Sequence, residues 1–131
     1  MQLLIASLFG AVLLVLGLWA FYLALAAERK NFVPGSKLGF RTRALMHSET
    51  TWREGHFQAR PFFIMGAVIA VMNLFAILSL APSLRMSQIC IMGPMLCVIV
   101  LGIIVTGGSA ANKHARQVLT ESKKESTEVR K

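Results

Sequence analysis

The chain has 131 residues, of which 55% are hydrophobic and only 15% charged, with a mean hydropathy of +0.60. That composition excludes an ordinary water-soluble domain, and the length suits one folding unit. The formal net charge of +8 does not point to nucleic acid as a partner, because the cationic side chains sit in two blocks that flank long apolar runs, as in an oriented membrane protein.

Residues 3–27 contain no charged side chain. About 20 apolar residues at ~1.5 Å rise each cross a hydrocarbon core of ~30 Å, so this run predicts a first transmembrane helix. Ala24-Leu25-Ala26 imitates a signal-peptidase site, but the run lacks a basic start and is longer than the ~7–15 apolar residues of a signal peptide, which favours an uncleaved helix. Ala6, Gly10, Gly17, Ala20, Ala24 and Ala27 recur at helical spacing and form a small-residue stripe. Such stripes let helix backbones approach closely in lipid, so Gly10 and Gly17 are candidate packing positions.

Residues 28–60 form a polar, arginine-rich connection. Gly39 is expected to permit a turn, and Arg41 and Arg43, on an extended strand of backbone, project to one side. There they could clamp phosphate or carboxylate, or Arg41 could pair with Glu49 or Glu54. From Ser48 onward the pattern turns helical. Ser48 is a good N-cap, Thr51 and Glu54 have capping-box spacing, and Trp52 and His56 share a face four residues apart. A short interfacial helix is expected here, with Trp52 at the membrane–water boundary and Arg53 and Arg60 reaching toward phosphate. His56 is expected to hydrogen-bond to the loop backbone; a metal site with His47 and a glutamate would need ligand spacing that is not present.

Residues 61–81 form a second apolar run, with Pro61 at a position tolerated at a helix start and Asn73 as a mid-membrane amide expected to bond across to another helix. Residues 89–111 form the third, interrupted by Pro94. Cys90 and Cys97 share a face but lie about 10 Å apart along the axis, beyond disulfide reach. Thr106-Gly107-Gly108-Ser109 predicts a close crossing near the end of that helix. Residues 112–131 read as a charged tail, helical at first and then frayed.

The expected fold is an all-α membrane protein. Residues 1–111 make a three-helix transmembrane domain with a structured cytoplasmic loop, and residues 112–131 make a cytoplasmic tail. Lys and Arg number seven in the first connection, six in the tail and one in the second connection, Arg85. With three spans this bias places the N-terminus outside and the C-terminus in the cytoplasm.

Pro34, Gly39-Phe40-Arg41-Thr42, then Trp52 ten residues after Thr42, and His56 before a new apolar helix together resemble the signature of the SdpI family of small bacterial membrane proteins. The resemblance runs over residues 31–66. Trp52-Arg53-Glu54-Gly55-His56 is similar to actinobacterial members, in which histidine stands where others have asparagine. The family takes its name from a longer immunity protein that protects its producer from a secreted membrane-active peptide toxin. The resemblance therefore implies a bacterial cell-membrane protein with Pro34, Gly39, Phe40, Arg41, Thr42, Arg43, Trp52 and His56 as its binding or structural motif.

Neither a nucleophile elbow nor a phosphate loop is present, and no carboxylate pair lies within the spans, so no enzyme, catalytic residue, cofactor or metal is expected. The functional expectation is a protein that binds a peptide, a membrane lipid or a protein partner through the Gly-Phe-Arg-Thr loop, in an immunity-like way. The alternative is an accessory subunit of a larger membrane complex, with the small-residue stripe and the aromatic loop as docking surfaces; a homo-oligomer is compatible with both.

Overall fold

A computed structural model describes residues 1–29, 33–35, 37 and 39–129. Lys30, Arg130 and Lys131 of the charge count, and Asn31 at the start of the motif region, lie outside the described residues. The described chain contains helix α1 (Gln2–Ala26), a 3-10 turn (Leu45–His47), helix α2 (Glu49–Leu80) and helix α3 (Met86–Glu128), with no strand among the described residues. All three helices are long and apolar enough to span a membrane. In their most apolar stretches only 28%, 28% and 22% of residues are buried, so most of this apolar surface faces outward, as a lipid environment requires.

The pairing of small residues gives the topology. A Cβ placed on Gly10 would lie 3.0 Å from Leu74, and one on Gly17 3.1 Å from the Ala70 Cβ, so α1 and α2 run antiparallel. Gly66 and Gly107 of the α2–α3 contact face Ile104 and Phe63, which makes that pair antiparallel too. Phe9 lies against Gly93, near the starts of α1 and α3, which run parallel. The result is an up-down-up bundle. Ala6, Gly10, Gly17, Ala20 and Ala24 are all buried in it, so the small-residue stripe of α1 packs within the chain.

Three boundaries differ from the sequence expectation. Pro61 lies inside α2 rather than at its start, and the segment expected as a separate interfacial helix is the first part of α2. The reason is the cap. Ser48 is extended (φ −152°, ψ 162°), its Oγ accepts from the Thr51 N–H at 3.1 Å, and Thr51 Oγ1 accepts from the Ser48 N–H at 3.1 Å. This reciprocal box satisfies donors at the helix start, and its partner is Thr51 itself rather than a Thr51–Glu54 pair. α3 begins at Met86, where the Arg85 N–H donates to Gln88 Oε1 at 2.8 Å. It runs unbroken through Pro94 and through the expected tail as far as Glu128, 43 residues or about 65 Å, roughly twice the hydrocarbon thickness.

Arg60 Nη1 and Glu28 Oε1 are 2.6 Å apart and join α2 to the end of α1. Both side chains are partly exposed, so the pair marks an interface more than it stabilises the fold. Asn73 is half-buried, and no hydrogen bond joins it to another helix among the described residues. The two cysteines are free; Cys90 is exposed and Cys97 half-buried on α3.

Candidate functional site

The connection between α1 and α2 folds back across one end of the bundle. It begins with a turn in which Pro34 precedes Gly35 at φ 88°, the conformation a type II turn demands of its third residue. Among the described residues Gly35 is the glycine at positive φ, and Gly39, the expected turn residue, sits half-buried in a bend. The Gly35 carbonyl accepts a hydrogen bond from Arg41 Nη2 at 2.7 Å, so the turn steadies the guanidinium of the motif arginine.

From Phe40 the chain alternates. Phe40 and Thr42 are half-buried while Arg41 and Arg43 are exposed, and the chain turns at Arg43 and Ala44, where the Thr42 carbonyl accepts from the Met46 N–H at 3.0 Å. The Phe40 ring wedges among all three helices. Its centroid lies 6.0 Å from Trp19 of α1 and 5.9 Å from Phe63 of α2, nearly parallel to the latter at 5°. Against α3 it sits where a Cβ on Gly108 would come within 2.5 Å of the ring. The glycine there makes the room that the aromatic wedge occupies.

Two hydrogen bonds fasten the wedge. The Phe40 N–H donates to His56 Nε2 at 3.2 Å, and His56 Nδ1 is 2.9 Å from the Trp52 carbonyl oxygen. Because Nε2 accepts, the proton resides on Nδ1 and is donated to Trp52, one turn back in α2. The imidazole is therefore neutral, with both nitrogens engaged. His56 and Trp52 are fully buried, their ring centroids 4.5 Å apart, and Phe63 lies 6.5 Å beyond. Trp52 thus packs inside the bundle instead of presenting its ring at the protein surface.

Thr42 supplies the second fastening. Its Oγ1 donates to Asn112 Oδ1 of α3 at 2.7 Å and accepts the Leu45 N–H at 3.4 Å, which starts the 3-10 turn. That turn drops Leu45, fully buried, over Gly55. A Thr42→Val variant is expected to lower stability by about 1 kcal/mol, and Asn112→Ala by a similar amount. A double-mutant cycle by denaturation in detergent should show the two losses to be coupled; simple additivity would mean the bond contributes nothing.

The motif residues expected to act together are brought together, but for two different ends. Phe40, Thr42, Trp52 and His56 point inward and hold the loop; Arg41 and Arg43 point outward. Sequence reading missed Trp19, Leu45, Phe63 and Asn112, and read Gly108 as part of a close crossing without naming Phe40 as what it meets. Phe63 had a signal, since Trp52, His56, Ala59 and Phe63 follow i, i+4, i+7, i+11 and form one buried face. His47 is exposed, away from the buried His56, and no group of three metal-capable side chains is gathered among the described residues.

A model of the SdpI/YfhL protein family matches residues 34–109, from the Pro34 turn to the part of α3 that receives Phe40. Comparison with curated proteins and with solved structures finds no match.

Proposed function

Because the chain belongs to the SdpI/YfhL protein family, whose match covers more than half of it, and is a multi-pass membrane protein, we propose that it is a membrane-embedded binding protein that engages a peptide or protein partner through the outer face of its latched loop. The observation that carries this is the division of labour within one short segment. Phe40 and Thr42 are used up in fixing the loop, which leaves Arg41 and Arg43 exposed, with Arg41 braced by the Gly35 carbonyl. Two exposed guanidiniums two residues apart, one of them braced, suit a carboxylate-bearing partner, because a preorganised fork loses little freedom on binding. The Lys and Arg bias supports a cytoplasmic position for this face, with the N-terminus outside and a bacterial cell membrane as the setting. Immunity-like protection against a peptide is the form of binding that the family resemblance favours.

The alternative, an accessory subunit docking through the small-residue stripe of α1, is less well supported. Gly10 and Gly17 already face Leu74 and Ala70 within the same chain, so that stripe is not open to a partner.

The test is purification of tagged full-length protein from its native membrane into nanodiscs, with mass analysis of what accompanies it. A stoichiometric partner retained by the wild type and lost from the Arg41→Ala/Arg43→Ala variant is the expected result. Both residues are exposed, so the variant should keep its abundance and its stability to within about 0.5 kcal/mol. Undiminished partner recovery by that variant would move the binding face elsewhere.

A further inference from the structure

The face of the α1–α2 pair turned away from α3 carries two hollows that differ in chemistry. Midway along the helices is an apolar hollow of about 430 Å³, lined by Leu14, Leu18 and Phe21 of α1 and Val68 and Val71 of α2, among others. Toward the loop end of the same helix pair lies a second, separate cleft of about 790 Å³ lined by Glu28, Glu49, Arg53, Glu54 and Phe57, among others. The two lie along one track of side chains. Leu14, Leu18, Phe21, Leu25 and Glu28 follow alternating spacings of four and three along α1, and Glu54, Phe57, Pro61, Ile64, Val68 and Val71 do the same along α2, all exposed.

From Phe57 to Val68 the track covers about 16 Å of helix rise, close to the ~15 Å of one bilayer leaflet. An acyl chain lying in the apolar hollow would therefore place its headgroup at the charged cleft. The charges there are mixed and run against the rest of the molecule. On a chain of net charge +8, three of the six acidic residues, Glu28, Glu49 and Glu54, gather at this mouth beside Arg53. The other three lie on the far part of α3. Glu28 is joined to Arg60, which leaves the Glu49 and Glu54 carboxylates and the Arg53 guanidinium lining the cleft.

We propose that this pair of hollows holds one zwitterionic aminophospholipid. The headgroup phosphate accepts hydrogen bonds from Arg53, the primary ammonium donates to Glu49 and Glu54, and one acyl chain lies along Leu18, Phe21 and Val68. A purely anionic lipid would satisfy Arg53 but would set its remaining negative charge against the carboxylates. The site is separate from the loop face that carries Arg41 and Arg43, so either reading can fail without the other.

The test is native mass spectrometry of the full-length protein in detergent, titrated with dioleoyl phosphatidylethanolamine or with dioleoyl phosphatidylglycerol. The wild type should bind one phosphatidylethanolamine with a preference of about tenfold, the size of one charge-assisted hydrogen bond. In Glu49→Gln/Glu54→Gln that preference should disappear. In Val68→Trp, which fills the hollow at an exposed position, binding of phosphatidylethanolamine should weaken about tenfold, while circular dichroism shows an unchanged helix content. Equal or tighter binding of phosphatidylglycerol by the wild type overturns the proposal. So does wild-type preference in the glutamine variant. A Val68→Trp variant that shifts the monomer–dimer balance without losing lipid would make the occupant a second copy of this chain, and that too overturns it.

Discussion

Gly55→Ala is expected to destabilise the bundle by about 1–3 kcal/mol, and Gly55→Leu to prevent its assembly. A Cβ at this position would overlap the Leu45 side chain and lie 2.9 Å from the carbonyl oxygen of Ala111. The two obstacles differ in kind. The end of a leucine side chain can rotate aside, whereas a backbone oxygen in the middle of α3 moves only if the helix moves with it. Thermal and chemical denaturation in detergent would measure the loss, with Leu45→Ala introduced as a second change. If the side chain were the main obstacle, Leu45→Ala would restore the stability of Gly55→Ala. The carbonyl contact predicts that it does not. A Gly55→Ala protein as stable as the wild type would mean that α2 and α3 are not held at this separation.

That contact also shows which parts of the structure the sequence could disclose. Three apolar runs with polar connections are a strong local signal, because in lipid every backbone group must find its partner within its own helix. The count of spans and their alternation follow from that requirement alone. Gly10 and Gly17 were legible as packing positions for the same reason, since small residues at helical spacing have little other use on an otherwise bulky helix. The start of α2 at Ser48 was legible from its cap, but its continuity through residue 61 was hidden because Pro61 is a conspicuous helix-start signal and suggested a second helix beginning there.

The site was legible as a set of residues but not as an arrangement. The Gly-Phe-Arg-Thr element with Trp52 and His56 stood out by its polarity and spacing, and Arg41 and Arg43 are exposed, although the chain turns at Arg43 rather than continuing extended. What receives Phe40 did not. Gly108 and Asn112 are separated from Phe40 and Thr42 by some 70 residues of chain, and nothing local to α3 marks the glycine as the floor for an aromatic ring or the asparagine as an acceptor for a threonine. Such partnerships are products of helix register, which is set by packing along the whole α2–α3 contact. The burial of Trp52 was not legible for a related reason: an amphipathic ring suits an exposed interface, and only the folded chain covers it.

His56 is the side chain on which the loop's attachment turns, and its substitutions should separate the latch from the bundle. His56→Phe keeps an aromatic ring between Trp52 and Phe63 but removes the acceptor of the Phe40 N–H, leaving a part-buried donor without its partner at a cost of about 1–3 kcal/mol. His56→Ala removes the ring as well and adds a cavity, for a total of about 3–5 kcal/mol. His56→Gln, whose side-chain carbonyl can accept while its amide donates, should fall closest to the wild type. The loss is local in its first effect. Hydrogen exchange followed by mass spectrometry should show protection at Phe40 and in the 3-10 turn falling in His56→Phe, while the middles of α1, α2 and α3 stay protected, because their backbone bonds lie within the helices and away from the loop. The same variant should lose partner recovery even though Arg41 and Arg43 are intact, since their placement depends on Phe40 being seated. Protection lost uniformly over all three helices would instead make His56 a support of the entire bundle. Undisturbed protection at Phe40 would show that the aromatic contacts with Trp19 and Phe63 hold the loop without the histidine.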